Sequence, residues 1–358
     1  MDNMGSMELI LRGMCSMTGT RFRSYRKLTT LVASAAIVAL GATACSSSSA
    51  TNSSGSTELK LVAYSVPKPA YDALQAAFGK TPAGKGVTWK TSYGASGTQS
   101  KNVSAGTVKA DYVAFSVTPD LTKLVPKFVD AGWDSGETKG LVSDSVVVIS
   151  VRKGNPLHIT GWDDLIKPGV KIVTPDPASS GSAKWNILAA YSHVEAAGGT
   201  EAQAKDYLTK FFGNVVSRAS SGAVATTQFL GGTGDVLISY ENEAIASRQA
   251  GKSLDYIVPD ETMLIENPAA VTKTAPTQAK DFLTFLLSTD GQKIFASKGF
   301  RPVVTGTPVG TVEGANDPAN PYPTPKHLVT IADLGGWTAV NAKFFGTDGL
   351  VTQIEKTG

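Results

Sequence analysis

Cysteine and histidine are scarce in this sequence, whose 358 residues include two cysteines and three histidines. The histidines, His158, His193 and His327, lie far apart and match no metal-ligand spacing, so we expect no metal site. Cys15 belongs to a segment that we expect to be removed, which leaves Cys45 alone in the mature chain. No intrachain disulfide bond is then possible, and the fold must depend on core packing.

Charge is also sparse, and its two signs balance. The chain carries 33 Lys and Arg against 30 Asp and Glu, and residues 1–44 hold five of the basic and two of the acidic side chains. Residues 45–358 therefore carry 28 charges of each sign. Nucleic-acid-binding domains normally show a strong basic excess, so we expect no nucleic-acid partner. With 42% hydrophobic residues, the sequence is also unlike that of a disordered chain.

The beginning of the chain has the composition of an export signal followed by a tether. A basic segment (residues 21–27) precedes an apolar run of about 13 residues, too short to span a membrane, and small residues then lead to Cys45. A cysteine in this position resembles a bacterial lipoprotein signal, and a plain secretory signal is the alternative. We expect residues 1–44 to be removed, with Met17 as an alternative start. The serine-rich residues 45–57 would then form a flexible tether that holds the protein by lipid on the outer face of the cell membrane.

Strand patterns alternate with helical patterns through the rest of the chain. Apolar or alternating stretches such as 58–64 and 145–152 are followed by helical stretches such as 69–78 and 183–197. This alternation predicts an α/β protein with mostly parallel sheets. About 300 residues exceed one usual core, so we expect two lobes. A single long amphipathic helix is predicted over 279–297.

Small residues follow three predicted strands where a helix begins, at residues 94–100, 175–184 and 219–227. The first N–H groups of a helix have no intrahelical partner, and the helix dipole favours an anion. Glycine permits close approach to a ligand, and serine adds a hydroxyl donor. Ordinary N-capping explains any one of these junctions. In an open α/β sheet, however, all three would lie at the carboxyl ends of strands, where ligands bind.

Acidic residues are nearly absent from these junctions, and Asp176 is the single exception. A site made of neutral donors suits an anion that carries no proton, such as sulfate. Hydrogen phosphate carries a proton and needs an acceptor, usually a carboxylate. A buried carboxylate that faces a bare dianion is unfavourable. Provided that Asp176 points away, the pattern favours sulfate over phosphate.

The sequence gives little support to two other function classes, phosphate-binding P-loop proteins and serine hydrolases. Residues 79–86 resemble a phosphate-binding P-loop, but Gly86 stands where that loop has Ser or Thr, and a helix precedes it, so we predict a turn. No G-x-S-x-G nucleophile elbow occurs. An exported hydrolase of phosphate or sulfate esters remains the alternative outside the binding class, although the sequence supplies no base that would activate Ser180.

Six stretches of the chain resemble the sulfate-binding proteins of bacterial sulfate and thiosulfate ABC importers. The similarity covers nearly all of residues 58–345, and with Cys45 the chain is most similar to lipid-anchored members of that family from actinobacteria. The matching stretches are SYGASGTQ (92–99), VRKGNP (151–156), WDDLIKPG (162–169), DPASSGSAKWN (176–186), GDVLISYENEA (234–244) and residues 291–295 with 300–302.

The resemblance implies a type II periplasmic-binding fold with two lobes. The first lobe would comprise residues 58–147 plus 259–358, and the second residues 148–258. Two chain crossings, near 147–152 and 256–259, would form the hinge. The family holds its anion between the lobes with uncharged donors, which fall here on Ser96, Ser180, Gly181, Ser182, Ala223 and Tyr240.

The resemblance also implies how these residues work. Backbone N–H groups would supply most of the hydrogen bonds, and the Ser180 hydroxyl would supply one more. Tyr240 stands where the family has a tryptophan whose indole N–H donates, and Ser182 stands where the family has glycine. The implied protein is a monomeric receptor without cofactor or catalytic activity that delivers sulfate to ABC permease subunits. Receptors for thiosulfate, molybdate or phosphate are the alternatives within the class.

Overall fold

The computed structural model describes residues 56–357 of the chain. The predicted export signal (1–44), the alternative start Met17, the lipidation site Cys45 and nearly all of the predicted tether lie outside the described residues. Those interpretations therefore stay predictions.

Strands and helices alternate along the described chain, as predicted. The strands are β1 (Thr57–Tyr64), β2 (Val87–Gly94), β3 (Tyr112–Ala114), β4 (Leu141–Arg152), β5 (Ile172–Pro175), β6 (Val215–Ala219), β7 (Val236–Tyr240), β8 (Leu254–Ile257), β9 (Glu261–Val271) and β10 (His327–Val329). The α-helices are α1 (Lys68–Phe78), α2 (Ser96–Ser104), α3 (Thr118–Thr122), α4 (Gly181–Ala196), α5 (Glu201–Gly213), α6 (Gly222–Leu230), α7 (Glu241–Gln249), α8 (Thr277–Leu286), α9 (Thr289–Ser297), α10 (Gly336–Val340) and α11 (Leu350–Thr357). A 3-10 turn covers Trp162–Ile166, and a π-helical turn covers Asn341–Phe345.

The strands follow the order β2-β1-β3-β9-β4-β7-β5-β6, with β10 beside β9 and β8 beside β4. In the first half of this path, β2, β1 and β3 are parallel, and in the second half β6, β5 and β7 are parallel. The connecting strands β4 and β9 run antiparallel to each other and to the strands beside them in that order. The predicted mostly parallel arrangement is therefore confirmed within each half.

Strands β4 and β9 connect the two halves of the sheet. β4 pairs with β9 as far as Val146, with β7 from Val147 and with β8 from Ile149. Residues 258–260 lead from β8 into β9. The two crossings predicted near 147–152 and 256–259 thus lie where β4 changes partner and where β8 ends. Hinge motion at these places stays a prediction.

Strand β9 was not predicted from the sequence. Its middle contains Pro268, and proline has no N–H for a central ladder, which argues against a strand. In the structure, Pro268 lies where β9 leaves β4 and joins β3, opposite an irregularity between Leu141 and Ser143. Its carbonyl still accepts a hydrogen bond from the Phe115 N–H at 3.0 Å. The missing donor is therefore tolerated at the change of partner.

The prediction of one helix over 279–297 is wrong, because α8 ends at Leu286 and α9 begins at Thr289. Ser288 makes the break. Its hydroxyl oxygen accepts the N–H of Gly291 at 3.2 Å and so caps α9. Periodicity alone did not separate the two helices, because both present an apolar face to the same core.

The C-terminal segment packs against the second half of the sheet. The rings of Trp337 and Trp185 meet edge to face, with their centroids 5.0 Å apart. The Glu355 carboxylate in α11 pairs with the Arg218 guanidinium at 2.9 Å. These contacts place residues beyond 336 beside α4 and β6, whereas the division predicted from the sequence counts 259–358 with the first lobe.

Apolar side chains fill the space between the helices and the two halves of the sheet. Phe78, Phe282 and Phe295 are buried against the first half, and Trp185 and Phe211 belong to the core of the second. None of the described helices has both the length and the apolar character needed to cross a membrane.

Candidate functional site

Three helix N-termini meet at the carboxyl ends of parallel strands. β2 leads into α2, β5 into α4 and β6 into α6. The N–H of Gly97 donates to the carbonyl of Ser179 at 3.1 Å, which joins the first junction to the second. The Ser179 hydroxyl donates to the carbonyl of Ser220 at 3.0 Å, which joins the second to the third. The three junctions predicted from the sequence therefore form one cluster.

Two of these helices lack a side-chain cap. Ala95 precedes α2 and cannot cap it, and the Ser180 side chain makes no capping bond to α4. In α6, by contrast, the Ser221 hydroxyl oxygen accepts the N–H of Val224 at 3.4 Å. The first N–H groups of α2 and α4 point out of their helices without an intrahelical partner. Apart from the Gly97 N–H, which donates to the Ser179 carbonyl, they are available to an external acceptor, as an anion site requires.

The predicted site residue Ser96 begins α2 and is 2% exposed. Its hydroxyl donates to Asp120 Oδ2 at 2.7 Å and accepts the N–H of Ser116 at 3.0 Å. The second Asp120 oxygen, Oδ1, accepts from the Lys123 ammonium at 2.9 Å. Because the Ser96 hydroxyl is occupied, the backbone N–H is the group that this residue can offer to a ligand.

Ser180, Gly181 and Ser182 form the N-terminus of α4. The N–H of Ser180 donates to the carbonyl of Asp176 at 2.9 Å, so its hydroxyl is the donor that remains. Gly181 and Ser182 begin the helix and carry N–H groups without an intrahelical acceptor. Asp176 Oδ1 accepts the N–H of Ala178 at 2.8 Å, which turns that oxygen toward its own loop. This agrees with the condition under which the sequence favours sulfate.

The two remaining predicted residues are Ala223 and Tyr240. Ala223 is the second residue of α6 and is partly exposed. Its neighbour Gly222 lies so close to α4 that a Cβ built there would be 3.0 Å from Ser182 Oγ. Tyr240 ends β7 with no exposed surface, and its hydroxyl lies 2.6 Å from Ser116 Oγ. Burial raises the pKa of Tyr240, so the phenol keeps its proton.

Three polar residues of the cluster were missed by the sequence analysis: Ser116, Asp120 and Glu243. Ser116 follows the short buried strand β3 and Asp120 lies in α3, so a fourth strand–helix junction was the available signal. Glu243 belongs to a matched stretch, but no spacing shows that an acid in α7 turns inward. Its Oε2 accepts from the Ser239 hydroxyl at 2.7 Å and lies 3.4 Å from a Cβ built on Gly222.

The electrostatic character of the cluster is close to neutral. Burial raises the pKa of Glu243, and its hydrogen bond from the Ser239 hydroxyl opposes that rise. The basic side chains beside the junctions contact other groups: Lys184 Nζ donates to Asn341 Oδ1 at 3.2 Å, and Arg218 pairs with Glu355. Ligand recognition by this cluster would therefore depend on uncharged N–H and O–H groups.

The described part of the chain contains no group of three or more His, Cys, Asp or Glu side chains placed to hold a metal ion. Among the histidines, His193 lies with its Nε2 3.1 Å from Asp163 Oδ1, next to the ring of Tyr207.

Several known proteins are similar to this chain over most of its length. Residues 59–301 match the family model for bacterial extracellular solute-binding proteins. A sulfate-binding protein of Synechococcus elongatus is 35% identical over 339 residues, which cover 91% of this chain and 94% of that protein. A thiosulfate-binding protein of Pseudomonas aeruginosa is 30% identical over 308 residues, 82% of this chain and 90% of that protein. The solved structure of the sulfate-binding protein SubI from Mycobacterium tuberculosis is 45% identical, with a TM-score of 0.75, over 81% of this chain and 99% of that one.

Proposed function

Because the chain belongs to the family of bacterial extracellular solute-binding proteins, we propose that it captures sulfate outside the cytoplasmic membrane. Its fold is the predicted two-lobed type II periplasmic-binding fold, as the likeness to SubI confirms. The similar proteins are named as binding proteins, and this chain is likewise a receptor and not an enzyme. The hydrolase alternative therefore has no support.

The observation that carries the proposal is the meeting of three helix N-termini around buried neutral donors. Two of the helices have no side-chain cap, and Ser180 and Ser182 are at most 4% exposed. Charge-assisted hydrogen bonds from such groups contribute about 1.5–3 kcal/mol each. A dianion surrounded by several of them needs no cationic side chain, because helix dipoles and N–H groups already favour negative charge.

The nearby acids support an anion that has no proton to donate. Both oxygens of Asp120 accept hydrogen bonds, from Ser96 and from Lys123. Glu243 Oε2 likewise accepts from the Ser239 hydroxyl, and burial raises the pKa of this acid, which disfavours its charged form. Sulfate fits these conditions. Thiosulfate, which also carries no proton at neutral pH, is the second candidate, and a similar protein is named for binding it.

Isothermal titration of the purified chain with sulfate tests the proposal. Cys45→Ser prevents lipid modification and keeps the protein in solution. We expect binding at micromolar concentration or tighter, about −8 kcal/mol. Competition with thiosulfate, molybdate and phosphate from about pH 5 to pH 8 ranks the alternatives, and a phosphate receptor would lose its preference as the ligand loses its proton. If none of these anions produced heat of binding, the assignment would be refuted.

The mode of action that we propose is capture by closure. The lobes would swing together about the crossings of β4 and of residues 258–260, the anion would lose its water, and the N–H groups would replace it. The closed receptor, a monomer, would then dock on the permease of an ABC importer. Lipid on Cys45 would keep it beside that permease. Cell fractionation tests the anchor, because Cys45→Ser should move the protein from the membrane to the soluble fraction.

A further inference from the structure

A chain of three buried hydroxyl groups runs through the centre of the proposed site. Ser116 Oγ and Tyr240 Oη lie 2.6 Å apart, and the Ser182 side chain interacts with the same phenol. Ser116 and Tyr240 have no exposed surface, and Ser182 is 4% exposed. The chain reaches from α4 across the end of β7 to the loop after β3.

Ser116 is held in place more firmly than a loop serine usually is. Its N–H donates to Ser96 Oγ at 3.0 Å, and its carbonyl accepts the indole N–H of Trp185 at 2.8 Å. A Cβ built on Gly181 would lie 2.6 Å from Ser116 Oγ. The Ser116 hydroxyl therefore lies against the first residue of α4, where the unpartnered N–H groups of that helix begin.

Counting the protons of the three hydroxyl groups shows which of them can donate a hydrogen bond to the ligand. Three hydroxyls carry three protons, and the two bonds within the chain use two of them. Tyr240 is the middle member, so its proton is free only if both serines donate to it, whereas donation from Tyr240 to Ser116 leaves the free proton on Ser116. A phenol is a stronger donor than an alcohol, and a separation of 2.6 Å is short for O–H···O, which fits donation from Tyr240 to Ser116. The third proton then lies at the end of the chain, on Ser116.

We propose that Ser116 donates the last hydrogen bond to the bound anion and that Tyr240 is a positioning residue which acts through it. The inference rests on the proposed function and names a ligand contact that the sequence analysis assigned to Tyr240 itself. An anion at the end of the chain orients Ser182, Tyr240 and Ser116 in one direction, and each bond polarises the next. Donation from the Tyr240 phenol thereby makes the Ser116 hydroxyl a stronger hydrogen-bond donor to the anion.

Titration calorimetry with sulfate on Ser116→Ala, Tyr240→Phe and the double variant tests the order of the hydrogen-bond donors among these hydroxyl groups. Ser116→Ala removes the contact and should weaken binding about 10- to 150-fold. Tyr240→Phe leaves the serine hydroxyl in place, so the loss should be smaller. The double variant should bind no more weakly than Ser116→Ala alone, because Tyr240 has no effect without Ser116.

Other outcomes overturn the proposal. A larger loss in Tyr240→Phe than in Ser116→Ala would show that the phenol itself touches the anion, and additive losses would show two independent contacts. If Ser182→Ala weakened sulfate binding more than Ser116→Ala does, the direction of hydrogen-bond donation along the three hydroxyls would be the opposite one. Ser192→Ala is the matched control, because this serine is equally buried and its hydroxyl contacts the Met263 sulfur at 3.8 Å. It should bind sulfate like the unmodified protein.

A readout without ligand separates this inference from the proposed function. If the unmodified protein binds no anion, the function fails, yet the link between the two hydroxyls can still be measured. In protein labelled with 13C at tyrosine Cζ, the resonance that Tyr240→Phe removes should shift in Ser116→Ala and stay unchanged in Ser192→Ala. An unchanged resonance in Ser116→Ala would disprove the link.

Discussion

Replacing Gly181 with alanine tests how closely the two sides of the proposed site approach each other. A Cβ at this position would lie 2.6 Å from Ser116 Oγ, 2.8 Å from Ser116 Cβ and 3.2 Å from Val117 Cγ1. The Ser116 backbone is held in place, because Ser96 Oγ accepts its N–H and the Trp185 indole donates to its carbonyl. The added methyl group would therefore push the loop after β3 away from α4.

The size of the effect follows from packing energies. Overpacking of a well-filled site typically costs about 1–3 kcal/mol. Alanine is favoured over glycine within a helix by about 1 kcal/mol or less, but that gain applies equally to open and closed states and cancels in binding. The overpacking cost arises only when the two sides of the site come together, so it appears in the dissociation constant for sulfate. We expect sulfate to bind about 5- to 150-fold more weakly to Gly181→Ala.

Isothermal titration measures this change, and thermal unfolding followed by circular dichroism checks that the variant is folded. Gly213→Ala is the matched control, since Gly213 ends α5 and no other atom lies within 4 Å of a Cβ built there. It should bind sulfate with unchanged affinity. Binding to Gly181→Ala at the affinity of the unmodified protein would refute the argument that main-chain contact at α4 is needed for capture.

Three further predictions concern stability and are checked by urea unfolding. Burial raises the pKa of Asp144 to about 8, so the folded state keeps a proton that the unfolded state loses above its ordinary pKa of 3.8. The free energy of unfolding should therefore fall as the pH rises between those values, and Asp144→Asn should flatten that slope, whereas equal slopes would contradict the assignment. Arg301 pairs with the fully buried Glu241 at 2.7 Å, and Arg301→Met should lower stability by about 3–5 kcal/mol because the acid is left unpaired; an unchanged midpoint would show that the pair contributes nothing. Ser288 caps α9 through the N–H of Gly291, so Ser288→Ala should lower stability by about 1 kcal/mol, and no loss would mean that the helix end is held by other contacts.

Local patterns were sufficient to predict most of the described helices and strands. Strand β1 and helix α1 lie within one residue of the predicted stretches 58–64 and 69–78, because their periodicity acts within a few residues of chain. One error arose where a strand changes its distant partner, and the other at a local helix cap that periodicity does not reveal. Pro268 sits inside β9 because the strand changes partner there, and Ser288 divides a continuous apolar pattern into α8 and α9.

The proposed site likewise has parts that the sequence predicted and parts that are apparent only in the structure. The three glycine- and serine-rich junctions were identified from the sequence, and the structure brings them together through contacts such as Gly97 to Ser179. Ser116 carried no distinctive motif, and its position is apparent only from its bonds to Ser96, Trp185 and Tyr240. The occupied Ser96 hydroxyl was equally invisible, because its acceptor lies 24 residues further along the chain.

The sequence by itself determined the α/β alternation, the helix N-termini rich in small residues and the near absence of charge around them. These features depend on neighbouring residues and on the backbone conformations that glycine and serine allow. Only the tertiary structure decided which donors face one point, which are already satisfied, and that the acid of Glu243 stands beside them with a raised pKa. Hydrogen-bond satisfaction and desolvation depend on residues brought together from distant parts of the chain, so neither can be read from spacing alone.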